Sequence, residues 1–298
     1  MIKRTLFFEN PAYLSTHLEQ LVIDFPDKEK EKKTVPIEDI GVVILDHPQI
    51  TLSQQLMAKL LQNNAAIVAC DPKHMPLGLW LNLDGHTLQS ARHKEQIESS
   101  VPLRKQLWQQ TIKTKIENQA AVLRKQGIAE ENMRYWASEV KSGDTENHEG
   151  RAAAYYWKSV FKDPDFIRDR SGLPPNNLLN YGYAIVRACV ARALVGSGLF
   201  PAFGIHHRNQ YNPYCLADDI MEPYRPYVDL KVLEIVSEHG KPEGLNTALK
   251  KELLQIPSVD VYLDGTRSPL MLAVQRTSAS LAKCFEGEQR KILYPQLL

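Results

Sequence analysis

The sequence has few cysteines, and none in the spacing that binds zinc or forms a redox pair. Its four cysteines are widely scattered and include no Cys-x-x-Cys pair: Cys70, Cys189, Cys215 and Cys284. This distribution is typical of reduced, mostly packed thiols in an intracellular protein, and it leaves open a pairing between distant cysteines.

Net charge, long apolar runs and repeats are lacking as well. The 298-residue chain has a formal net charge of +1, so binding to nucleic acid would have to rest on local patches. We expect no apolar run of membrane-spanning length, and the N-terminal sequence MIKRTLFFENPAYL has no signal-peptide core or cleavage site. We find no internal repeat. These absences predict a soluble cytoplasmic protein with no membrane partner.

The residues that are present predict an α+β fold that begins with a small β domain. The chain is 43% hydrophobic, enough for one large or two ordinary domains. Within residues 1–83, short apolar runs alternate with turn formers and predict strands at 5–8, 20–25, 41–45, 65–69 and 78–83. A helix capped by Thr51 interrupts them. The charged segment Lys28–Lys33 is expected at an exposed hairpin tip.

The composition changes after Leu83. Residues 84–100 are polar and are expected to form a linker. Residues 101–298 have helical spacing and predict a larger all-α domain. Helices are expected at 101–126, 130–140, 149–161, 178–195, 220–239, 245–254 and 269–284.

The segment 204–226, GIHHRNQYNPYCLADDIMEPYRP, concentrates the residue types that bind metal ions. Asp219 and Glu222 are three apart and share one face of a helix. A loop can fold His207 back against that face. Hard carboxylates with an imidazole suit Mg²⁺ or Mn²⁺. The alternative is a buried ion-pair network that joins Asp218, Asp219 and Glu222 to two arginines, Arg208 and Arg225.

Two further interpretations concern the neighbouring residues. A zinc site on His206, His207 and Cys215 is disfavoured because no second Cys/His cluster of regular spacing exists. Glu149 stands in the first turn of a predicted helix and is followed by three small residues, Ala152–Ala154. Its carboxylate could be a ligand, or it could be the N-terminal acid that a helix dipole favours.

Three separated motifs resemble a known family. They are Glu149 with its Ala-rich helix and Tyr156-Trp157, the stretch NLLNYGY at 177–183, and the segment 204–226. Together they are similar to the CRISPR spacer-acquisition integrase, and the opening TLFFENPAYLS resembles the version found in type II systems. The resemblance extends over essentially the whole chain.

The resemblance implies a metal-dependent DNA integrase and endonuclease. It places the catalytic, metal-binding residues on Glu149, His207 and Glu222, and an auxiliary acid on Asp219. A spacer 3′-hydroxyl would attack the repeat boundary by transesterification, with Mg²⁺ or Mn²⁺ as cofactor. Four residues beside these ligands are expected to contact DNA phosphates: Arg151, His206, Arg208 and Arg225.

The resemblance also implies partners. These are double-stranded DNA (spacer precursor and CRISPR repeat) and the small partner protein of CRISPR adaptation, with the type II effector nuclease and an accessory protein as further members. Strand edges in residues 1–83 favour a homodimer on physical grounds. The alternative function is a non-catalytic DNA-binding scaffold whose acids form salt bridges.

The helix expected at 101–126 is rich in basic residues. Six lie between Leu103 and Lys125, namely Arg104, Lys105, Lys113, Lys115, Arg124 and Lys125. They fall on nearly opposite stripes, so they form no single basic face. We interpret them mainly as solvated side chains.

Overall fold

The computed structural model describes residues 3–169 and 171–298. Its N-terminal part consists of strands with one helix, and the part that follows is mainly helical. This confirms the predicted α+β fold class. The N-terminal elements are β1 (Arg4–Phe8), β2 (Ala12–His17), β3 (Gln20–Asp24), β4 (Lys33–Pro36), β5 (Ile40–Leu45), β6 (Ile50–Leu52), α1 (Gln54–Gln62), β7 (Ala66–Cys70) and β8 (Pro76–Trp80).

These strands form two four-stranded sheets. The first has the order β1-β5-β7-β8, with β1, β5 and β7 parallel and β8 antiparallel to β7. The second has the order β4-β3-β2-β6. Lys28–Lys33 lies at the exposed end of the antiparallel β3–β4 hairpin, which confirms the predicted tip.

Strand β5 is apolar throughout because both of its faces are buried. Val43 packs into a core with Leu56 and Leu60 of α1. Val42 and Ile44 face the opposite way, into the large core that the first sheet shares with the helical part. The first sheet therefore lies between the second sheet and the helices.

Three of the N-terminal strands were missed from the sequence, namely β2, β4 and β6. Each is short or carries polar residues on an exposed face, so its apolar signal is weak. The predicted cap of α1 is wrong: Thr51 lies in β6, and Ser53 caps the helix by accepting a hydrogen bond from the Leu56 N–H.

The helical part begins inside the segment that was expected to be a linker. Its helices are α2 (Gln89–Glu98), α3 (Val101–Lys125), α4 (Glu131–Glu139), α5 (His148–Ser159), α6 (Asn176–Gly196), α7 (Cys215–Met221), α8 (Arg225–His239), α9 (Thr247–Leu253) and α10 (Leu270–Phe285). In α2, the buried Gln96 side chain donates to the carbonyls of Phe200 and Phe203, 2.9 Å away. Helix α2 is thus anchored to the segment that follows α6.

A two-stranded hairpin interrupts the helices near the C-terminus. Strands β9 (Asp260–Leu263) and β10 (Thr266–Pro269) are antiparallel and are joined by Asp264 and Gly265. Both turn residues have positive φ, 51° and 73°, as a two-residue hairpin of this kind requires. The region expected to be all-α therefore contains this short sheet.

Helix α6 is long and apolar enough to cross a membrane, which corrects the expectation that no run reaches that length. However, 83% of its most apolar window is buried inside the protein. Burial of this extent is that of a core helix, and α6 contributes Leu178, Val186 and Val190 to the main core.

Candidate active site

Glu149 lies in the first turn of α5, as predicted. Asn147 caps this helix and accepts a hydrogen bond from the Gly150 N–H. The Asp144 carboxylate accepts from the N–H groups of His148 and Glu149, 2.9 Å each. These bonds satisfy free backbone donors in the first turn of α5.

Glu222 lies at a break between two helices. Helix α7 runs into a 3₁₀ turn at Glu222–Tyr224, and α8 starts at Arg225. The sequence predicted a single helix from Ile220 with its start kinked or delayed by Pro223 and Pro226, and the break is where that disturbance occurs. The Glu222 side chain is 6% exposed.

Asn118 of α3 holds this turn in place. Its Nδ2 donates to the carbonyls of Pro223 (2.8 Å) and Pro295 (3.0 Å). Its Oδ1 accepts from the Leu297 N–H at 2.9 Å. One buried amide therefore connects α3, the turn that carries Glu222, and the C-terminal residues.

Replacing Asn118 by leucine is expected to lower the free energy of unfolding by about 2–4 kcal/mol, because it leaves buried backbone groups unpaired. Gln110→Leu is the matched control: Gln110 makes two similar bonds, to Arg290 and Ile292, from a partly exposed position that water can reach. Urea unfolding should show a loss of less than about 1 kcal/mol there. Equal losses in the two variants would contradict this role for Asn118.

His207 is oriented by Asp219. The His207 Nδ1 lies 2.5 Å from the Asp219 Oδ1, and the Asp219 carboxylate also accepts from the backbone N–H groups of His206 and His207. Asp219 has a fully buried side chain, whereas that of His207 is 47% exposed. A carboxylate on Nδ1 leaves Nε2 as the nitrogen available to a metal ion.

This contact also changes both pKa values. The hydrogen bond to Asp219 raises the pKa of His207. Burial raises the pKa of Asp219, and the bonds it accepts from His207 and from the His206 backbone offset only part of that effect.

The sequence interpretation missed Lys115. It was grouped with solvated lysines, but it is 9% exposed. Its Nζ lies 2.6 Å from the Glu149 Oε1 and 2.6 Å from the Glu222 Oε2. Glu149 and Glu222, which the resemblance pairs although they lie 73 positions apart, therefore approach the same ammonium group. The two carboxylate oxygens in contact with it are separated by at most twice 2.6 Å.

Glu222 is surrounded by positive charge. Arg225 approaches its other oxygen at 2.9 Å. Burial favours a raised pKa for Glu222, but the charges of Arg225 and Lys115 outweigh it, and the pKa lies below its ordinary value. Burial likewise opposes the charge on Lys115, whereas Glu222 and Glu149 raise its pKa. Glu222, Lys115 and Arg225 are therefore ionised at neutral pH.

The alternative ion-pair network is formed only in part. Glu222 pairs with Arg225, as that interpretation expected. Asp218 instead pairs with Arg187 at 2.7 Å, and Asp219 pairs with His207. The Cys215 thiol of the alternative zinc site donates to backbone carbonyls of Asn209 and Asn212.

The four expected phosphate contacts have different surroundings. Arg151 and Arg208 are exposed. The Arg225 guanidinium lies over the Tyr183 ring at 4.7 Å. The His206 ring stacks on Trp108 with centroids 4.1 Å apart, so its position is set by the core.

Two cavities flank the site. The larger, about 760 Å³, is lined by His207, Arg208 and Arg104 with the aromatic residues Phe203 and Tyr211. The smaller, about 240 Å³, is lined by Lys115, Gln119, Trp157, Arg168, Tyr183, Glu222, Arg225 and Asp229. Positively charged side chains line both.

A second cation-binding candidate lies at the surface. Within residues 3–169 and 171–298, one group of three His, Cys, Asp or Glu side chains has all its ligand atoms within 4.8 Å of one another: Glu238, His239 and Glu252. Among the described residues, Glu149, His207 and Glu222 do not form so tight a group. The surface group therefore serves as a control in the experiments below.

The donor set of Glu149, Glu222 and His207 nevertheless fits a divalent ion. It offers hard oxygen donors and one imidazole. The Glu222 Oε2 is buried, and among the described residues it has no partner in hydrogen-bonding geometry, since its contact with Lys115 is an ion pair only. A buried carboxylate oxygen in this state is suited to coordinate a cation.

Asp229 is a buried acid beside the smaller cavity. It accepts hydrogen bonds from the hydroxyls of Tyr156 (2.8 Å) and Tyr183 (2.5 Å). Burial raises its pKa from the ordinary 3.8 to about 6, against the lowering effect of these bonds. At a pH between about 4 and about 6, Asp229 is therefore protonated in the folded chain and ionised in the unfolded chain.

The free energy of unfolding should consequently fall as pH rises from about 4 to about 6. The Asp229 contribution over that range is about 3 kcal/mol, at 1.36 kcal/mol per pKa unit. Asp229→Asn removes this pH-dependent contribution. In urea titrations, the free energy of unfolding of wild type relative to the variant should therefore fall by about 3 kcal/mol between about pH 4 and about pH 6. Parallel stability curves for the two proteins would refute the assignment.

Comparison with known proteins identifies the family. The family model for CRISPR associated protein Cas1 matches residues 6–254. The chain belongs to the Cas1 family. It is 34% identical, over 301 residues, to the CRISPR-associated endonuclease Cas1 of Neisseria meningitidis serogroup C (strain 8013), covering 100% of this chain and 97% of that protein. It is 27% identical to the CRISPR-associated endonuclease Cas1 2 of Pyrobaculum aerophilum, covering 85% of this chain and 90% of that protein.

Solved structures agree with the Cas1 fold. A casposase bound to its integration product has a TM-score of 0.78 at 20% identity, covering 98% of this chain and 92% of that chain. A Cas1 protein from Thermotoga maritima has a TM-score of 0.77 at 17% identity, covering 96% of this chain and 98% of that chain. At these identities the likeness concerns the fold alone.

Proposed function

We propose that this Cas1 chain is a divalent-metal-dependent DNA integrase and endonuclease of CRISPR adaptation. It inserts spacer DNA into the CRISPR array by transesterification, with the spacer 3′-hydroxyl as nucleophile. The catalytic residues are Glu149, His207 and Glu222, and the metal is Mg²⁺ or Mn²⁺. The curated relatives are named endonucleases, and the casposase neighbour is bound to an integration product.

One observation supports the site above all others: Glu149 and Glu222 approach a single cation from separate segments. The hydrogen bond to Asp219 raises the pKa of His207, and the charges of Glu222 and Glu149 add to that effect. A divalent ion bound there would supply Lewis acidity and a lowered pKa for the attacking hydroxyl. Glu149, His207 and Glu222 would hold that ion and would leave positions open for phosphate oxygens.

The reaction balances without an external energy source. The 3′-oxygen of the spacer forms a bond to phosphorus as the bond from phosphorus to the 3′-oxygen of the repeat strand breaks. The attacking hydroxyl loses a proton, and the released 3′-oxygen gains one. With water as nucleophile, the same site would cleave DNA.

Exposed cations near His207 would hold the DNA strand. Arg208 lines the larger cavity, and Arg151 is exposed one turn or less along α5 from Glu149. Contacts of this kind fix the register of a strand without reading its sequence. His206 and Arg225 are held by Trp108 and Glu222, so their contribution to phosphate binding would come from fixed positions.

We propose that the protein acts as a homodimer through residues 1–83, together with the small partner protein of CRISPR adaptation. Both sheets in this region are open, with β8 at one edge. Leu77 and Trp80 on β8 are exposed, as an edge available for pairing requires. One structural neighbour is part of a Cas6-RT-Cas1–Cas2 complex. Participation of a type II effector nuclease and an accessory protein remains an expectation from the resemblance.

The alternative, a non-catalytic DNA-binding scaffold, is favoured by the ion pairs that Glu149 and Glu222 make with Lys115. Strand transfer of a labelled 3′-ended duplex into a repeat-containing plasmid, with the purified small partner protein added, separates the two. The enzyme should give joined products with Mn²⁺ or Mg²⁺ and none with chelator. Products that persist in chelator would refute the metal mechanism, and DNA binding without any products would favour the scaffold.

A further inference from the structure

Lys115 occupies the position at which the two acidic side chains converge. It lies in the middle of α3, its Nζ is 2.6 Å from an oxygen of Glu149 and 2.6 Å from an oxygen of Glu222, and it is 9% exposed. The contact with Glu149 is a hydrogen bond, whereas the contact with Glu222 lacks hydrogen-bonding geometry. The ammonium is thus held by an ion pair on both sides and by a hydrogen bond to Glu149.

A divalent ion would need the same space. Mg²⁺ binds carboxylate oxygens at about 2.0–2.1 Å, so an ion shared by these two oxygens would overlap the ammonium. The charges lead to the same conclusion. Lys115 and Arg225 formally neutralise Glu149 and Glu222, and a divalent ion would leave this buried group with two excess positive charges unless a cation moved away or an anion arrived.

The cavity next to Lys115 contains an acceptor for a displaced ammonium. Gln119 is one helical turn farther along α3 and lies on the same face. It is 3% exposed, and its Oε1 is buried without a hydrogen-bond partner among the described residues. Both side chains line the cavity of about 240 Å³, together with Arg168 and Arg225. Three cationic side chains line this cavity against two acids, Glu222 and Asp229, and Glu222 would be neutralised by the metal ion, so the cavity suits a phosphodiester group.

We propose that Lys115 is an exchangeable internal cation of the active site. It holds Glu149 and Glu222 together, competes with the divalent ion for them, and on displacement turns toward Gln119 and a DNA phosphate in the adjoining cavity. Metal and DNA therefore bind cooperatively, since the phosphate compensates the positive charge that the metal brings. This inference rests on the proposed metal-dependent function and adds to it a coupling between the two ligands.

The test is the Kd for Mn²⁺, measured on the full chain from the electron paramagnetic resonance signal of free Mn²⁺, with and without a short 3′-overhang DNA duplex. In wild type, DNA should tighten Mn²⁺ binding by about tenfold. In Lys115→Met, Mn²⁺ alone should bind about tenfold more tightly than to wild type, and DNA should add less than about threefold. Lys113→Met, an exposed lysine on the same helix, should behave as wild type.

Gln119→Leu provides a second variant that should fold well, because it removes a buried polar atom that has no hydrogen-bond partner in residues 3–169 and 171–298. It should keep or increase the thermal unfolding temperature, yet bind Mn²⁺ several-fold more weakly, since the displaced ammonium loses its acceptor. A purely structural Gln119 would not give this combination.

Unchanged or weaker Mn²⁺ binding in Lys115→Met would overturn the inference, because Lys115 would then be a fixed ion-pair partner. So would equal tightening by DNA in wild type and Lys115→Met, or Mn²⁺ binding to Gln119→Leu as tight as to wild type. Failure of the proposed function looks different: wild type itself would bind no Mn²⁺ at these carboxylates and would transfer strands in chelator.

Discussion

Glu149→Gln is expected to reduce strand transfer by about a thousandfold while the protein stays folded. Loss of a ligand removes several kcal/mol of metal-based transition-state stabilisation, and each 1.36 kcal/mol is a factor of ten. Glu149 suits the experiment because its side chain is 27% exposed and, within the part of the chain that the structure describes, forms an ion pair with Lys115 alone. The readout is the initial rate of joined product, with circular dichroism to monitor folding.

Glu252→Gln is the matched control. Glu252 belongs to the surface group with Glu238 and His239, whose ligand atoms are closely spaced, so it tests whether any clustered acid would give the same loss. Strand transfer should be unchanged there. The opposite pattern, with activity lost in Glu252→Gln and kept in Glu149→Gln, would place the chemistry at the surface group.

Glu222→Gln should lose strand transfer to the same extent but also lose stability. Its carboxylate is paired with both Lys115 and Arg225 at a buried position, and neutralising it takes this partner from Arg225 and one of two carboxylates from Lys115. This difference makes Glu149→Gln the cleaner test of catalysis.

Asp219→Asn is expected to lower strand transfer by about 10- to 100-fold, through His207. Partners that orient a metal-binding histidine typically contribute that much to activity or metal affinity. An amide that donates to Nδ1 would place the proton on Nε2, the nitrogen that should bind the metal. The Kd for Mn²⁺ should rise in parallel with the loss of rate.

Asp218→Asn separates orientation of His207 from the general effect of removing a buried acid. Asp218 is adjacent in sequence, but it pairs with Arg187 and accepts from Asn212, both at 2.7 Å. Its loss should reduce stability and leave the Kd for Mn²⁺ unchanged. Equal losses of Mn²⁺ affinity in the two variants would show that Asp219 has no specific role toward His207.

The larger elements of the fold could be predicted because their signals are local. Strand β5 is a continuous apolar run, and α3 has a cap at Ser100 and an end just before Gly127. The β9–β10 hairpin was missed although its Asp264-Gly265 turn is a strong local signal for a hairpin. The apolar spacing on both sides of this turn predicted helices, so the two short strands were not expected between them.

The site could be predicted only in part, because its contacts join distant segments. Asp219 and Glu222 share a face by spacing alone, but nothing local shows that Lys115 lies between Glu149 and Glu222. Lys115 has the same kind of neighbours in sequence as Lys113, yet one is buried and the other is exposed. Only the packing of α3 against α5 and the turn at Glu222 distinguishes them.

The most direct test of the central claim is the position of Mn²⁺ in crystals of the protein soaked with it, located by anomalous scattering. The account predicts a peak in contact with Glu149, Glu222 and the Nε2 of His207, with the Lys115 ammonium moved away from both carboxylates. A peak at Glu238, His239 and Glu252 alone, with Lys115 still bridging Glu149 and Glu222, would contradict it.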